Sequence, residues 1–122
     1  MAKLSSFSFY SISTLDDDSS ETNFIAKGYV DYREDYSLWY FKHENEYKFI
    51  IRRDELEVCV DNSSYNFNVN KKTEAFIKID NYSYKASITT NSLIISEEEI
   101  NINYVMDFSS FKGNYKIIVK LC

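Results

Sequence analysis

The sequence predicts an all-β fold, a single antiparallel meander closed into a calycin-like barrel of about eight to ten strands. Three observations lead there. Apolar and polar residues alternate with period two from end to end, the signature of strands with one buried and one wet face. Aromatic residues make up 17% of the chain, eleven Tyr, nine Phe and one Trp, and such side chains suit a pleated, half-buried surface. Clusters of Asp, Asn and Ser separate the alternating runs at hairpin spacing. With no Pro and only Gly28 and Gly113 in 122 residues, these types must supply the turns, because they tolerate left-handed backbone and bond their own main chain.

Taken in order, residues 6–14 carry Phe7 and Phe9 on one parity and Tyr10 and Ile12 on the other, a change of phase that predicts a bulge. Residues 22–32 place Phe24, Ala26, Gly28 and Val30 together. A glycine inside such a run marks a bend or a close backbone approach. Leu38 to Phe41 is continuously apolar, which predicts a strand covered on both sides, and residues 46–53 turn Tyr47, Phe49 and Ile51 inward. Leu56, Val58 and Val60 alternate with Glu55, Glu57, Cys59 and Asp61. Tyr65, Phe67 and Val69 alternate with Asn66, Asn68 and Asn70. The later inward rows are Tyr82, Tyr84, Ala86 and Ile88; Ile100, Ile102, Tyr104 and Met106; and Tyr115, Ile117, Val119 and Leu121.

Turns are expected at 16–20, 33–35, 43–45, 61–63, 70–72, 80–81, 90–91 and 112–114. Ser96-Glu97-Glu98-Glu99 has capping-box spacing, but Ile100 and Ile102 then alternate, so a loop is expected there. The short connections suit consecutive hairpins, and closing the meander into a barrel removes exposed edges. No linker, repeat or low-complexity tract interrupts the chain, so residues 1–122 form one domain of ordinary size.

Charge and composition narrow the function classes. A net charge of −5 gains little from phosphate backbones, which argues against nucleic acid. Met1 to Ser6 lacks the apolar core of a signal peptide, and no stretch nears the about 18 apolar residues of a membrane helix. The expected setting is the cytoplasm, with no membrane partner. Cys59 and Cys122 are expected as free thiols.

The chain resembles the YwiB-like proteins, bacterial β-barrels of calycin type, the lipocalin-like class of meander barrel. The resemblance runs from about Phe7 to Leu121 and rests on the order of several short matches. These are acidic Asp16-Asp17-Asp18 after the first strand, Ile25-Ala26-Lys27-Gly28-Tyr29, Leu38-Trp39-Tyr40, Phe67, Tyr82-Ser83-Tyr84 to Thr90, and Ile100 to Asp107. The family tends to carry Arg with a nearby Gly after the fifth strand, where this chain has Asp61-Asn62-Ser63, so a site built on that Arg is absent here. The resemblance implies a barrel in the bacterial cytosol and no established activity.

No constellation of residues points to catalysis or to a cofactor. A nucleophile pair of Cys59 with the sole histidine, His43, needs hydrogen-bond reach and a low-pKa thiolate. His43 falls in an acidic turn and Cys59 on the polar parity of its strand. Asp16-Asp17-Asp18 and Glu97-Glu98-Glu99 lack the spaced ligands of a calcium loop, and zinc needs Cys/His clusters. Glu55 and Glu57 point outward by parity, as do Lys112, Lys116 and Lys120.

The inward aromatics are the informative feature. Buried Tyr hydroxyls need partners, so Tyr65, Tyr82, Tyr84, Tyr104 and Tyr115 imply an internal polar network or a wet cavity. Two readings follow. One is a non-enzymatic module that takes a small apolar or amphipathic ligand in the barrel, lined by Phe24, Trp39, Phe67, Tyr84 and Tyr104. The other is a barrel plugged by its own aromatics, a structural or interaction protein working through its outer surface or a homo-oligomer interface. An exposed patch at Tyr29, Trp39 or Phe41 would mark the second reading.

Overall fold

Ten antiparallel strands form a closed barrel in a computed structural model that describes residues 2–122; Met1 lies outside the described residues. The strands are β1 (Ala2–Leu15), β2 (Asp18–Tyr32), β3 (Ser37–His43), β4 (Asn45–Ile51), β5 (Leu56–Val60), β6 (Ser63–Phe67), β7 (Thr73–Ile79), β8 (Tyr82–Ile95), β9 (Glu99–Asp107) and β10 (Lys112–Leu121). Each pairs with the next in sequence, and β1 closes the ring on β10 from Phe7 opposite Leu121 to Thr14 opposite Asn114.

Up-and-down connectivity puts the odd-to-even hairpin turns, β1–β2 through β9–β10, at one end, here called the turn end. Five non-glycine residues with positive φ occur among the described residues, Asp16, Glu44, Asp61, Asp80 and Ser109. One sits in each of these turns. Short polar side chains offset part of the cost of the left-handed region, which is how a chain nearly free of glycine makes five tight reversals.

Alternation sorts the interior as the sequence predicts. The fully buried large side chains include Phe7, Trp39, Phe41, Phe49 and Phe67, with Leu56, Ile88, Ile100, Ile102 and Val119 between them. Phe41 lies at the centre of an aromatic stack, its ring centroid 4.9 Å from Phe7, 5.0 Å from Tyr47 and 5.8 Å from Phe49. Each buried ring contributes about 1.5–3 kcal/mol by leaving water. Trp39 and Phe41 are therefore core, and the exposed patch expected of the second reading is not found at them. Tyr29 and Tyr40, on the outer face, stack on each other at 4.9 Å. The run Leu38 to Phe41 is thus buried on one face only, its outer tyrosine covered by a neighbouring ring.

Four expectations are corrected. The turn expected at 112–114 falls at 108–111 instead, because β10 already begins at Lys112. Residues 6–14 contain no bulge: β1 keeps one register against both neighbours, so Ser11 and Ser13 follow Phe7 and Phe9 inward while Tyr10 and Ile12 face out. The irregularity lies instead at Thr90–Asn91, where a turn was expected. β8 runs straight through it to Ile95, and a register shift between Thr90 and Ser92 transfers the inward row from Ile88 to Leu93. Finally, Tyr82 and Tyr84 are exposed. They share the inward parity of Ala86 and Ile88, but β9 pairs with β8 only from Ser87 onward. The β7–β8 hairpin overshoots its neighbour, and no opposite wall covers its tip.

Side chains complete the ladder where backbone pairing is thin. β6 and β7 share only two register pairs. Around them the Lys78 N–H donates to Ser63 Oγ at 2.9 Å, Asn66 Nδ2 to the Glu74 carbonyl at 3.2 Å, and the Thr73 hydroxyl to the Asn66 carbonyl. Just beyond, the Asn68 N–H donates to the buried Thr90 Oγ1 at 3.2 Å. Gly28 meets the other tight spot. A Cβ there would lie 1.8 Å from the Tyr40 carbonyl oxygen and 2.7 Å from the Phe41 Cα, both rigid backbone atoms, so the close approach read from the sequence is real.

Two stability changes follow. Gly28→Ala must force β2 and β3 apart and costs about 3 kcal/mol, in the upper range for overpacking. Thr90→Val, nearly equal in shape, removes the acceptor of the Asn68 N–H and costs about 1–3 kcal/mol. Urea unfolding checks both, the expected result being a lower midpoint at unchanged slope.

Candidate functional site

The interior changes character along the barrel axis. Away from the turns it is filled by Phe7, Trp39, Phe49, Phe67 and aliphatic side chains. Towards the turn end the inward positions of β1 and β2 become Ser11, Ser13 and Thr22, too small to reach the opposite wall. They leave a cavity of about 240 Å³. Phe9, Tyr47, Val58, Val60, Tyr65, Tyr104, Met106, Tyr115 and Ile117 complete the lining, with Ile12 and Lys116 from the outward rows at its margin. Ten strands enclose more than the eight whose interior side chains just fill, so an unfilled segment is a consequence of strand number.

Three phenols define the polar side of this cavity. Tyr104 is 5% exposed, its ring edge-on to Phe67 at 4.6 Å and stacked on Tyr115 at 5.2 Å. Its hydroxyl has no hydrogen-bond partner among the described residues, yet it is not sealed from solvent; it faces the cavity. Burial pushes the Tyr104 phenol far above its ordinary value, with further contributions from Tyr65 and Tyr115. Tyr65 is raised by burial and then by Tyr115 and Tyr47, and Tyr115 by burial. The three phenols share the lining of one cavity, and each protonated hydroxyl can both donate and accept. Tyr47 is raised by burial, lowered by a hydrogen bond with Asn45, and raised again by the charges of Asp61 and Glu44 in the adjacent turns.

At the rim, Phe24 stacks on Phe9 at 4.7 Å and on His43 at 4.3 Å, a three-ring column on the wall of the mouth. Of the five residues the sequence places in the lining, Tyr104 lines the cavity, Phe67 supports it from below, and Phe24 stands at its rim. Trp39 is packed in the filled half. Tyr84 lies outside the barrel in a separate apolar groove of about 400 Å³, with Ile77, Ile79, Phe108 and Phe111. Ser11, Ser13 and Thr22 were missed. Their signal was present in the sequence, since small hydroxyl residues on an inward parity are what an unfilled barrel segment requires.

The other candidate groups are held apart. His43 belongs to the inward row of β3 and Cys59 to the outward row of β5, on opposite faces of the sheet. Burial and then the neighbouring Glu57 carboxylate push the Cys59 thiol up, away from a reactive thiolate. Glu55 and Glu57 face separate cations, Lys71 at 3.6 Å and Arg52 at 3.7 Å. Lys112 and Lys120 pair with Asp107 and Glu99. Among the described residues no three His, Cys, Asp or Glu side chains gather as a metal site.

The fold is similar to one solved structure in particular, the ywiB protein from Bacillus subtilis. The TM-score is 0.76 at 16% sequence identity, covering 99% of this chain and 93% of that one. At that identity the likeness concerns the fold alone. No family model and no curated protein matches the sequence.

The phenols carry a pH signature. Because the fold holds protons that the unfolded chain releases above about pH 10, stability is complete below that value and falls as pH rises beyond it. Tyr104→Phe is expected to make the alkaline fall shallower while costing little at neutral pH, since the hydroxyl has no partner to lose. Chemical denaturation at a series of pH values, with phenolate absorbance followed in parallel, checks it.

Proposed function

We propose that the chain is a non-enzymatic binding module that holds a small amphipathic ligand in the mouth of its barrel. One observation carries this reading: a buried phenol, Tyr104, whose hydroxyl meets a cavity instead of a partner. A ligand with a complementary polar group gains a hydrogen bond there, worth about 0.5–1.5 kcal/mol net of the water it displaces. The surrounding rings and Val58, Val60 and Met106 receive the apolar part. At about 240 Å³ the cavity lies below the about 300–1,000 Å³ of drug-sized pockets, which limits the ligand to a small molecule or to one end of a larger one. A fold similar to that of the ywiB protein from Bacillus subtilis supports reading the chain as a YwiB-like, calycin-type barrel. Outward rows carrying Lys, Glu and Asn, the reverse of the apolar outer band of a membrane barrel, support an aqueous setting, of which the bacterial cytosol is the one proposed. No helix is long and apolar enough to cross a membrane.

The groove of Ile77, Ile79, Tyr84, Phe108 and Phe111 favours a second reading, an interaction protein that uses the overshooting β7–β8 hairpin, with a second copy of the chain as one occupant.

Native and denaturing mass spectrometry on freshly purified protein separate the two. A small passenger lost on denaturation, and lost from Ser11→Phe with its β-sheet circular dichroism intact, is the expected result, because the introduced ring fills the mouth. A ligand-free dimer that Phe111→Ser turns into monomer would replace the first reading by the second.

A further inference from the structure

Resting on the cavity reading above, we propose that its ligand is a small organic cation, a protonated amine carried on an aromatic or aliphatic body. The walls and the rim specify this together. Inside, the rings of Phe9, Tyr47, Tyr65 and Tyr115 line the space, and aromatic rings attract an ammonium group through their quadrupoles, most strongly where water is excluded. The unpartnered hydroxyl of Tyr104, with those of Ser11 and Ser13, presents oxygens that accept ammonium N–H bonds.

Charge at the mouth has the matching sign. The turns that ring it carry Asp16, Asp17, Glu44, Asp61 and Asp80, all exposed, and no ion pair neutralises any of them among the described residues. After burial, which raises the Tyr47 phenol most, Asp61 and Glu44 add smaller upward contributions of the same sign. Four cationic or basic groups oppose them: Lys42 and Lys78, exposed on the outward rows of β3 and β7 beside the turns of Glu44 and Asp80, with Lys116 and His43. Lys116 leaves from the outward row of β10, opposite Ile12, and His43 is stacked flat on Phe24 at the rim. Lys48 and Lys112 are paired with Glu46 and Asp107. Carboxylates therefore outnumber free cations around the opening, and a low-dielectric cleft focuses their field on an entering charge.

The test compares three ligands of one size, 2-phenylethylamine, 2-phenylethanol and phenylacetate, at neutral pH. Calorimetry reads affinity, and NMR shifts of ring-labelled tyrosines read location. The amine is expected to bind at least about tenfold more tightly than the alcohol, in keeping with a desolvated cation–aromatic contact, and phenylacetate more weakly than either. The combined variant Asp16→Asn, Asp61→Asn and Asp80→Asn keeps the left-handed turns, since Asn adopts that conformation readily, and preserves the Asp61 Oδ1 that accepts the Glu46 N–H. It is expected to erase the amine preference and leave the alcohol unchanged. Equal binding of all three, blocked by Ser11→Phe, would overturn the cation while leaving a cavity-binding module. Tightest binding of phenylacetate would overturn it in favour of an anion held by Lys116 and the phenols. If none of the three moves the Tyr65, Tyr104 and Tyr115 signals, the cation and the cavity reading fall together.

Discussion

A ring of ten strands encloses a fixed volume, and every inward side chain must either help to fill it or border what is left. Eight strands leave an interior that side chains just occupy, and diameter grows with strand number. This chain meets the surplus unevenly. Phe7, Trp39, Phe41, Phe49 and Phe67 interlock in the half away from the turns and exclude water completely. In the other half Ser11, Ser13 and Thr22 face rings that cannot reach them, and the cavity lies between. The packed half anchors the barrel and so permits the mouth to remain incompletely filled.

Unequal strand lengths shape the ends. β1 and β2 run fourteen and fifteen residues and rise beyond β3, so their hairpin forms a tall wall on one side of the mouth. β7 and β8 overshoot in the same direction across the ring and shelter the groove beside Phe108 and Phe111. Between β6 and β7, where backbone pairing is briefest, Ser63, Asn66 and Thr73 take over the bonding. The ring is held there by side chains that a ladder would not need, which confines sequence freedom at those positions.

Turn chemistry and electrostatics are linked by the scarcity of glycine. Left-handed residues are needed at each reversal of the turn end, and Asp occupies three of the five such positions, with Glu44 in a fourth. A conformational requirement thereby sets negative charge around the one opening that leads to the phenols. Asn or Gly would have met the backbone need without the charge.

Much of the architecture was legible because strand alternation is local. Leu56-Val58-Val60, Ile100-Ile102-Tyr104-Met106 and Tyr115-Ile117-Val119 declare their inward faces within a few residues, and the Asp-rich turns between them set hairpins and hence the meander. Gly28 likewise announced a close approach. Alternation specifies parity but not depth along the barrel axis or what stands opposite. Tyr84 and Tyr104 therefore read alike, although one lies past the end of β9 and the other is walled in. The change of pattern at Ser11 and Ser13 looked like a bulge because only the register against β2 and β10 distinguishes a shifted strand from a straight one facing a void. The sequence by itself determined which face of each strand leaves water, since that depends on neighbours in the chain. Only the tertiary structure decided where the interior is filled and where it is open, since that depends on strand number, on relative strand length and on side chains brought together from across the ring.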